Sequence, residues 1–160
     1  DGAARILVWS AVDAVCQMSL AFHEAGVVAL AFSPSGEYLV SVGSPGERSV
    51  AVWDLRSCAM IGSVVLEQPQ LWAAWSPTAN PPAFVTGGVY SLTSFTIEGG
   101  ARLAEPRAVA LPASLGTSIF TAGVFDSSPR RVSHRLRRLG ASAQNSRYPI
   151  RVIEKSTRCS

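Results

Sequence analysis

The sequence predicts an all-β fold of repeated four-stranded antiparallel sheets, followed by a basic C-terminal segment. Three observations predict it. Landmarks recur at a nearly constant interval. Ala31-Phe32-Ser33-Pro34 returns as Ala74-Trp75-Ser76-Pro77 after 43 residues. Trp53 follows Trp9 by 44 and precedes Phe95 by 42. Ser41-Val42-Gly43 has its counterpart 45 residues on, in Thr86-Gly87-Gly88. A period of this size marks a repeat architecture. Short apolar runs alternate with turn signals, and helical periodicity is absent before residue 127. Apolar residues make up 48% of the chain and charged residues only 16%, below the usual share of about a quarter, as expected for a body of buried strands.

Each element has its own signal. Val27 to Phe32 is apolar on both faces, as expected of a strand packed between neighbouring sheets. Ser33-Pro34-Ser35-Gly36 places proline and glycine where a turn uses them. Tyr38 to Val42 reads as a second strand and Ser44-Pro45-Gly46-Glu47 as the next turn. Ser49 to Trp53 is a third strand, with Val50 and Val52 on one face against Ala51 and Trp53 on the other. Ala59 to Leu66 supplies a fourth. The units divide as the end of one sheet (1–20), a complete sheet (21–65), a degenerate one (66–110), the start of another (117–126) and a basic tail (127–160).

Four strands per repeat of this length is the blade of a WD-repeat β-propeller, and the residues resemble that family. The matching stretches are Phe22-His23, Ala31-Phe32-Ser33-Pro34-Ser35-Gly36, Leu39-Val40-Ser41-Val42-Gly43 and Val50-Ala51-Val52-Trp53-Asp54. The expected fold is therefore a partial β-propeller, two blades plus fragments of two more. Propellers close with about 4–8 blades, so this chain alone leaves faces uncovered. It starts at Asp1 without methionine or signal peptide and reads as a piece of a longer protein.

The resemblance implies a hydrogen-bonded chain in each blade, made from a histidine, a strand Ser or Thr, a turn Asp and the Trp. Its members here are His23, Ser41, Glu47 and Trp53, with Asp54 as a turn residue. Glu47 stands where the family usually has Asp, so the reach of its carboxylate is the weak point of the expected network. Ser41 is the natural acceptor for the Trp53 indole N–H. The second blade departs further. Phe95 replaces the Trp, Val89 the Asp, and no histidine occurs near residue 66, so Thr86 alone is expected to survive. Packing by Leu71, Trp72, Trp75, Phe84, Val85 and Phe95 is expected to hold this blade.

The two blades resemble echinoderm-microtubule-associated-like proteins. They are still more similar to centriolar and ciliary WD-repeat proteins of the WD repeat-containing protein 90 type. That resemblance covers residues 23–99 and implies a microtubule, ciliary or centriolar scaffold in the cytoplasm. It implies other proteins as partners, among them tubulin or ciliary and centriolar components.

The charge is unevenly placed. Residues 1–126 hold five arginines against ten acidic residues, net −5. Residues 127–160 hold nine basic residues against Glu154, net +8. Arg130, Arg131, Arg135, Arg137 and Arg138 are candidates for electrostatic binding to an acidic surface. Val132, Leu136 and Leu139 would share one face if this stretch were helical, whereas a disordered basic end is the expected state. An alternative exon end would produce the same abrupt loss of pattern.

An enzyme is not expected. His23 has no nucleophile motif or carboxylate pair beside it, and the only other histidine, His134, is in the tail. Phosphate loops and metal-ligand clusters are missing from the sequence. Cys16, Cys58 and Cys159 are too widely spaced for a zinc site or a disulfide framework. The reading expects no cofactor, no small-molecule substrate, no membrane insertion and no nucleic-acid partner. A non-catalytic scaffold follows, with a general cytoplasmic or nuclear adaptor, as in ubiquitin-ligase or RNA-processing complexes, as the alternative.

Overall fold

The computed structural model describes residues 3–111, 113–115, 118–125, 141–143 and 150–154. β1 (Arg5–Trp9) and β2 (Cys16–Ala21) form a two-stranded hairpin. β3 (Val27–Phe32), β4 (Tyr38–Gly43), β5 (Ser49–Asp54) and β6 (Ala59–Val65) follow as one sheet in chain order, each antiparallel to the next. β7 (Gln70–Trp75), β8 (Ala83–Gly88), β9 (Leu92–Glu98) and β10 (Arg102–Leu103) repeat that meander, and β11 (Arg107–Ala108) also pairs with β9. After a 3-10 turn at Ala113–Leu115, β12 (Phe120–Phe125) begins a further sheet.

The turns explain why strands stop where they do. Gly36 N–H donates to Ser33 O at 2.9 Å with Gly36 at φ 73°, a conformation that favours glycine. Glu47 N–H donates to Ser44 O at 3.0 Å, which aims the Glu47 side chain back toward the start of β3. Two glycines have a different reason to be there. A Cβ on Gly43 would stand 2.4 Å from Ser49 Oγ and 2.7 Å from His23 Nδ1. One on Gly88 would stand 2.1 Å from Pro69 O. Each marks a close approach of β4 or β8 to the loop that leads into its blade.

The sheets are layered, and the strand period of two feeds both sides of each layer. Leu39, Ala51, Trp53 and Leu55 pack on Ile6 and Leu20 of the hairpin. Val40, Val50 and Val52, from the other face of the same sheet, pack on Trp75, Phe84, Phe95 and Ile97 of the next. Trp72, Val85 and Leu92 then meet Phe120 of β12, with Val109 and Leu115. Two indoles lock the layers together. Trp75 donates to Ala31 O at 2.8 Å and Trp72 donates to Phe120 O at 3.0 Å. Tyr38 stacks on Trp75, and Trp75 meets Phe84 at a tilt of 50° with centroids 4.8 Å apart. Phe84 and Phe95 lie nearly parallel at 4.6 Å.

Two expectations require correction. β3 is not buried on both faces. Val28, Leu30 and Phe32 are about half exposed, because the hairpin before it has two strands and leaves the inner part of that face open. The strand pattern also does not end at residue 126. β13 (Ala141–Ala143) and β14 (Ile150–Glu154) form a three-stranded sheet with β12 in the order β12-β14-β13. Ile150-Arg151-Val152-Ile153-Glu154 is rich in β-branched residues, which outweighed the basic composition that suggested a structureless end. Arg130, Arg131, Arg135, Arg137, Arg138 and the amphipathic stretch around them lie outside the described residues.

Candidate functional site

The polar centre of the first complete sheet is built around His23, which is fully buried. Its ring sits edge-on to Phe22 at 5.1 Å. Nε2 lies 2.8 Å from Ser41 Oγ. Nδ1 lies 2.9 Å from Glu47 Oε1 and 2.8 Å from Ser49 Oγ. The Trp53 indole donates to Ser41 Oγ at 3.0 Å, and Ser49 Oγ donates to Glu47 Oε1 at 2.6 Å. One assignment of protons satisfies every group. Trp53 donates to Ser41, Ser41 donates to His23 Nε2, and His23 Nδ1–H and the Ser49 hydroxyl face the Glu47 carboxylate. The Ala25 backbone N–H adds a further donor to Glu47 Oε2 at 3.3 Å.

The elements impose this meeting. Antiparallel pairing sets Ser41 opposite Ala51 and Leu39 opposite Trp53, so the indole reaches diagonally to the serine of the neighbouring strand. His23 and Ala25 come from the loop that enters β3, and Glu47 and Ser49 from the turn that enters β5. The network therefore ties two loops to two strands. Glu47 reaches the histidine despite its extra methylene. Burial pushes its carboxyl up, but hydrogen bonds from Ser49, His23 and Ala25 outweigh that and hold it below the ordinary glutamate value.

Of the five residues singled out from the sequence in this blade, the structure brings together His23, Ser41, Glu47 and Trp53. Asp54 stands apart. Its carboxylate accepts from Arg56 N–H at 2.8 Å and from the Ser57 hydroxyl at 2.9 Å, which closes the turn into β6. Those bonds, led by Arg56 N–H, hold its carboxyl below the ordinary aspartate value. Ser49 was missed by the sequence reading. Its only signal was a hydroxyl two residues after Glu47, at the mouth of β5.

The second sheet corrects the expectation that Thr86 survives alone. Gln70 is fully buried at the start of β7 and takes the histidine's place. Thr86 Oγ1 donates to Gln70 Oε1 at 2.9 Å. Gln70 Nε2 donates to Ser91 Oγ at 2.8 Å and to Gln68 O at 2.9 Å. An amide offers both an acceptor and donors, so it can bridge a strand hydroxyl to a loop hydroxyl without a ring. Phe95, at the tryptophan position, donates nothing. Thr86 therefore gives its own proton to Gln70.

These polar groups are consumed by one another. Among the described residues, no group of three or more His, Cys, Asp or Glu side chains could hold a metal ion. Among the described residues, no helix is long and apolar enough to cross a membrane.

Layered four-stranded antiparallel sheets with a His-Ser-Trp network in the complete one define the class of the chain. It has the fold of a partial β-propeller, with blades similar to those of WD-repeat proteins. No protein-family model matches it. It is 39% identical to centriole proteome protein 16 of Chlamydomonas reinhardtii over 95 residues, 59% of this chain and 5% of that protein. It is 28% identical to mouse WD repeat-containing protein 90 over 128 residues, 78% of this chain and 7% of that protein. It is 39% identical to pig cilia- and flagella-associated protein 52 over 61 residues, 38% of this chain and 10% of that protein. The chain thus spans a small fraction of each relative. Among solved structures, the β-propeller domain of Myceliophteria thermophila Cps50 (Swd1) superposes with a TM-score of 0.61 at 18% identity, over 76% of this chain and 39% of that one. At that identity the likeness concerns the fold.

Proposed function

We propose that this chain is part of a non-catalytic scaffold that binds other proteins at the cilium or centriole, on or beside microtubules. The observation that carries the reading is similarity to relatives named for the centriole, the cilium and the flagellum. The geometry supports the non-catalytic half. Among the described residues, His23 is the one buried side chain with the chemistry of a general base, and both its ring nitrogens are committed to partners within the blade. Its work is to fix loops, which is what a rigid docking platform requires.

The basic segment adds an electrostatic element in this reading. Arg130, Arg131, Arg135, Arg137 and Arg138 suit an acidic protein surface such as that of a microtubule. The test is pelleting of the full-length parent protein with stabilised microtubules, alongside fractionation of ciliated cells. Enrichment in the microtubule pellet and the ciliary or centriolar fraction is expected. A parent that stays in the supernatant, fractionates with the soluble cytosol and is captured only in nuclear or ubiquitin-ligase complexes would overturn the proposal.

A further inference from the structure

The two complete sheets differ at their outer edges. β6 is the last strand of its four-stranded sheet, and among the described residues no strand pairs with its outer side. Leu66 N–H donates to Arg48 O, and Val64 and Gly62 stand opposite Val50 and Val52. In an antiparallel ladder, alternate residues turn their N–H and C=O to the same side. Gly62, Val64 and Leu66 therefore turn theirs to β5, and Ser63 and Val65 turn theirs outward. The strand reads Ala59-Met60-Ile61-Gly62-Ser63-Val64-Val65, with neither charge nor proline. At the same place in the next sheet the edge is broken. β10 and β11 have two residues each, Ala104-Glu105-Pro106 separates them, and Arg102, Glu105 and Arg107 are exposed. Charge, proline and short length are the devices that keep foreign strands off an edge. β6 carries none of them.

We propose that β6 is a self-association site, at which the same strand of a second copy adds antiparallel and joins two four-stranded sheets into one. Open backbone donors and acceptors at strand spacing select an extended backbone as the occupant. The residues on and around the strand select a copy of itself. A basic residue, Arg56, precedes β6 and an acidic one, Glu67, follows it, and both are exposed. A two-fold axis at Gly62 sets Ile61 opposite Ser63 of the partner subunit and Ala59 opposite Val65 of the partner subunit. Gly62 then meets its own copy at the axis, with no side chain to crowd the approach. Carried past the strand ends, this register brings Arg56 beside Glu67 of the partner subunit, once at each end of the pair. A parallel pair would set like charges together instead. Arg56 pairs with Glu37 in its own copy, and at 75% exposure its guanidinium has donors left for a second carboxylate. A two-fold contact closes on itself, so it makes a dimer and not a fibre. The site is independent of which other protein the scaffold binds.

The experiment uses the full-length parent protein over a range of concentrations. Sedimentation gives its mass, and hydrogen exchange follows the amides of β6. A mass that rises toward twice that of the monomer is expected, with slowed exchange at Ser63 and Val65 and unchanged exchange in β4. Arg56→Glu and Glu67→Arg, both surface changes, should each weaken the dimer roughly 3- to 30-fold, since two attractive pairs become repulsive. An equimolar mixture of these two variants should recover the wild-type affinity, because each copy then offers the charge that the other lacks. Val65→Lys, a charge on the edge itself, should abolish the slowed exchange. Three results would overturn the proposal. One is exchange in β6 that does not depend on concentration, whether fast throughout or protected throughout by another segment. Another is wild-type association of both charge variants. The third is weakened association that the mixture does not restore, which would mean that β6 receives a strand other than its own copy.

Discussion

A fully buried histidine with a carboxylate at 2.9 Å invites a catalytic reading, and the neighbouring atoms decide against it. Ser41 stands between His23 and the Trp53 indole, so its oxygen is an acceptor held in place and not a nucleophile facing a cleft. Truncation of the network should therefore be read as loss of stability. Trp53→Ala removes a buried indole from the hairpin interface and should cost about 3–5 kcal/mol in urea unfolding. Trp53→Phe keeps most of the burial and removes the N–H, so about 1–2 kcal/mol is expected. Asp54→Ala should cost much less than Trp53→Ala, because it opens a surface turn. Equal losses for Trp53→Ala and Asp54→Ala would refute the roles assigned to them. Glu47 adds a pH dependence. Its carboxyl is held below the ordinary value, so the native state favours the ionised form. The resulting stability is complete above the ordinary glutamate range and disappears as pH falls through the lowered native value. Glu47→Gln should flatten the acid side of a stability–pH profile measured by urea midpoints. An unchanged acid limb would contradict that assignment.

Within the strands and loops, the two repeats solve one problem with different residues. The loop into β3 brings a histidine to Ser41, and β7 opens directly on a glutamine that meets Thr86. Gln70→Ala should leave Thr86 and Ser91 without their partner in the interior, a loss of about 1–3 kcal/mol. Gly88→Ala should be at least as damaging, since its Cβ would fall 2.1 Å from a backbone oxygen that cannot rotate away. Thermal unfolding of both variants checks this, and wild-type midpoints would show that the second sheet is held by packing alone. The strands of both complete sheets were legible from the 42–45-residue interval and the alternation of Val50, Ala51, Val52 and Trp53. So were His23, Ser41 and Trp53, because the resemblance to WD-repeat blades implies a network at those positions. Gln70 was not legible, because no histidine stands near residue 66 and its substitute sits inside the strand. β14 was hidden for another reason. It follows a run of arginines, and net charge masked a five-residue strand rich in β-branched residues.

The assembled molecule is an acidic, layered body with a basic C-terminal segment, net −5 against +8. Deleting everything after residue 126 would also remove β14 and the pairing of β12, so the charge is better tested by substitution. Replacing Arg130, Arg131, Arg135, Arg137 and Arg138 by glutamine should weaken microtubule pelleting of the chain at low salt and erase most of its salt dependence, because exposed charges act over about 8 Å at physiological ionic strength. Identical pelleting at low and high salt, with and without the arginines, would remove that segment from the binding account. The most direct measurement of the central claim is the position of the tagged parent protein in ciliated cells, with and without Trp53→Ala. An intact scaffold segment predicts signal at centrioles or along cilia that fades when this blade is destabilised. A diffuse cytosolic or nuclear signal in the unmutated protein would contradict it.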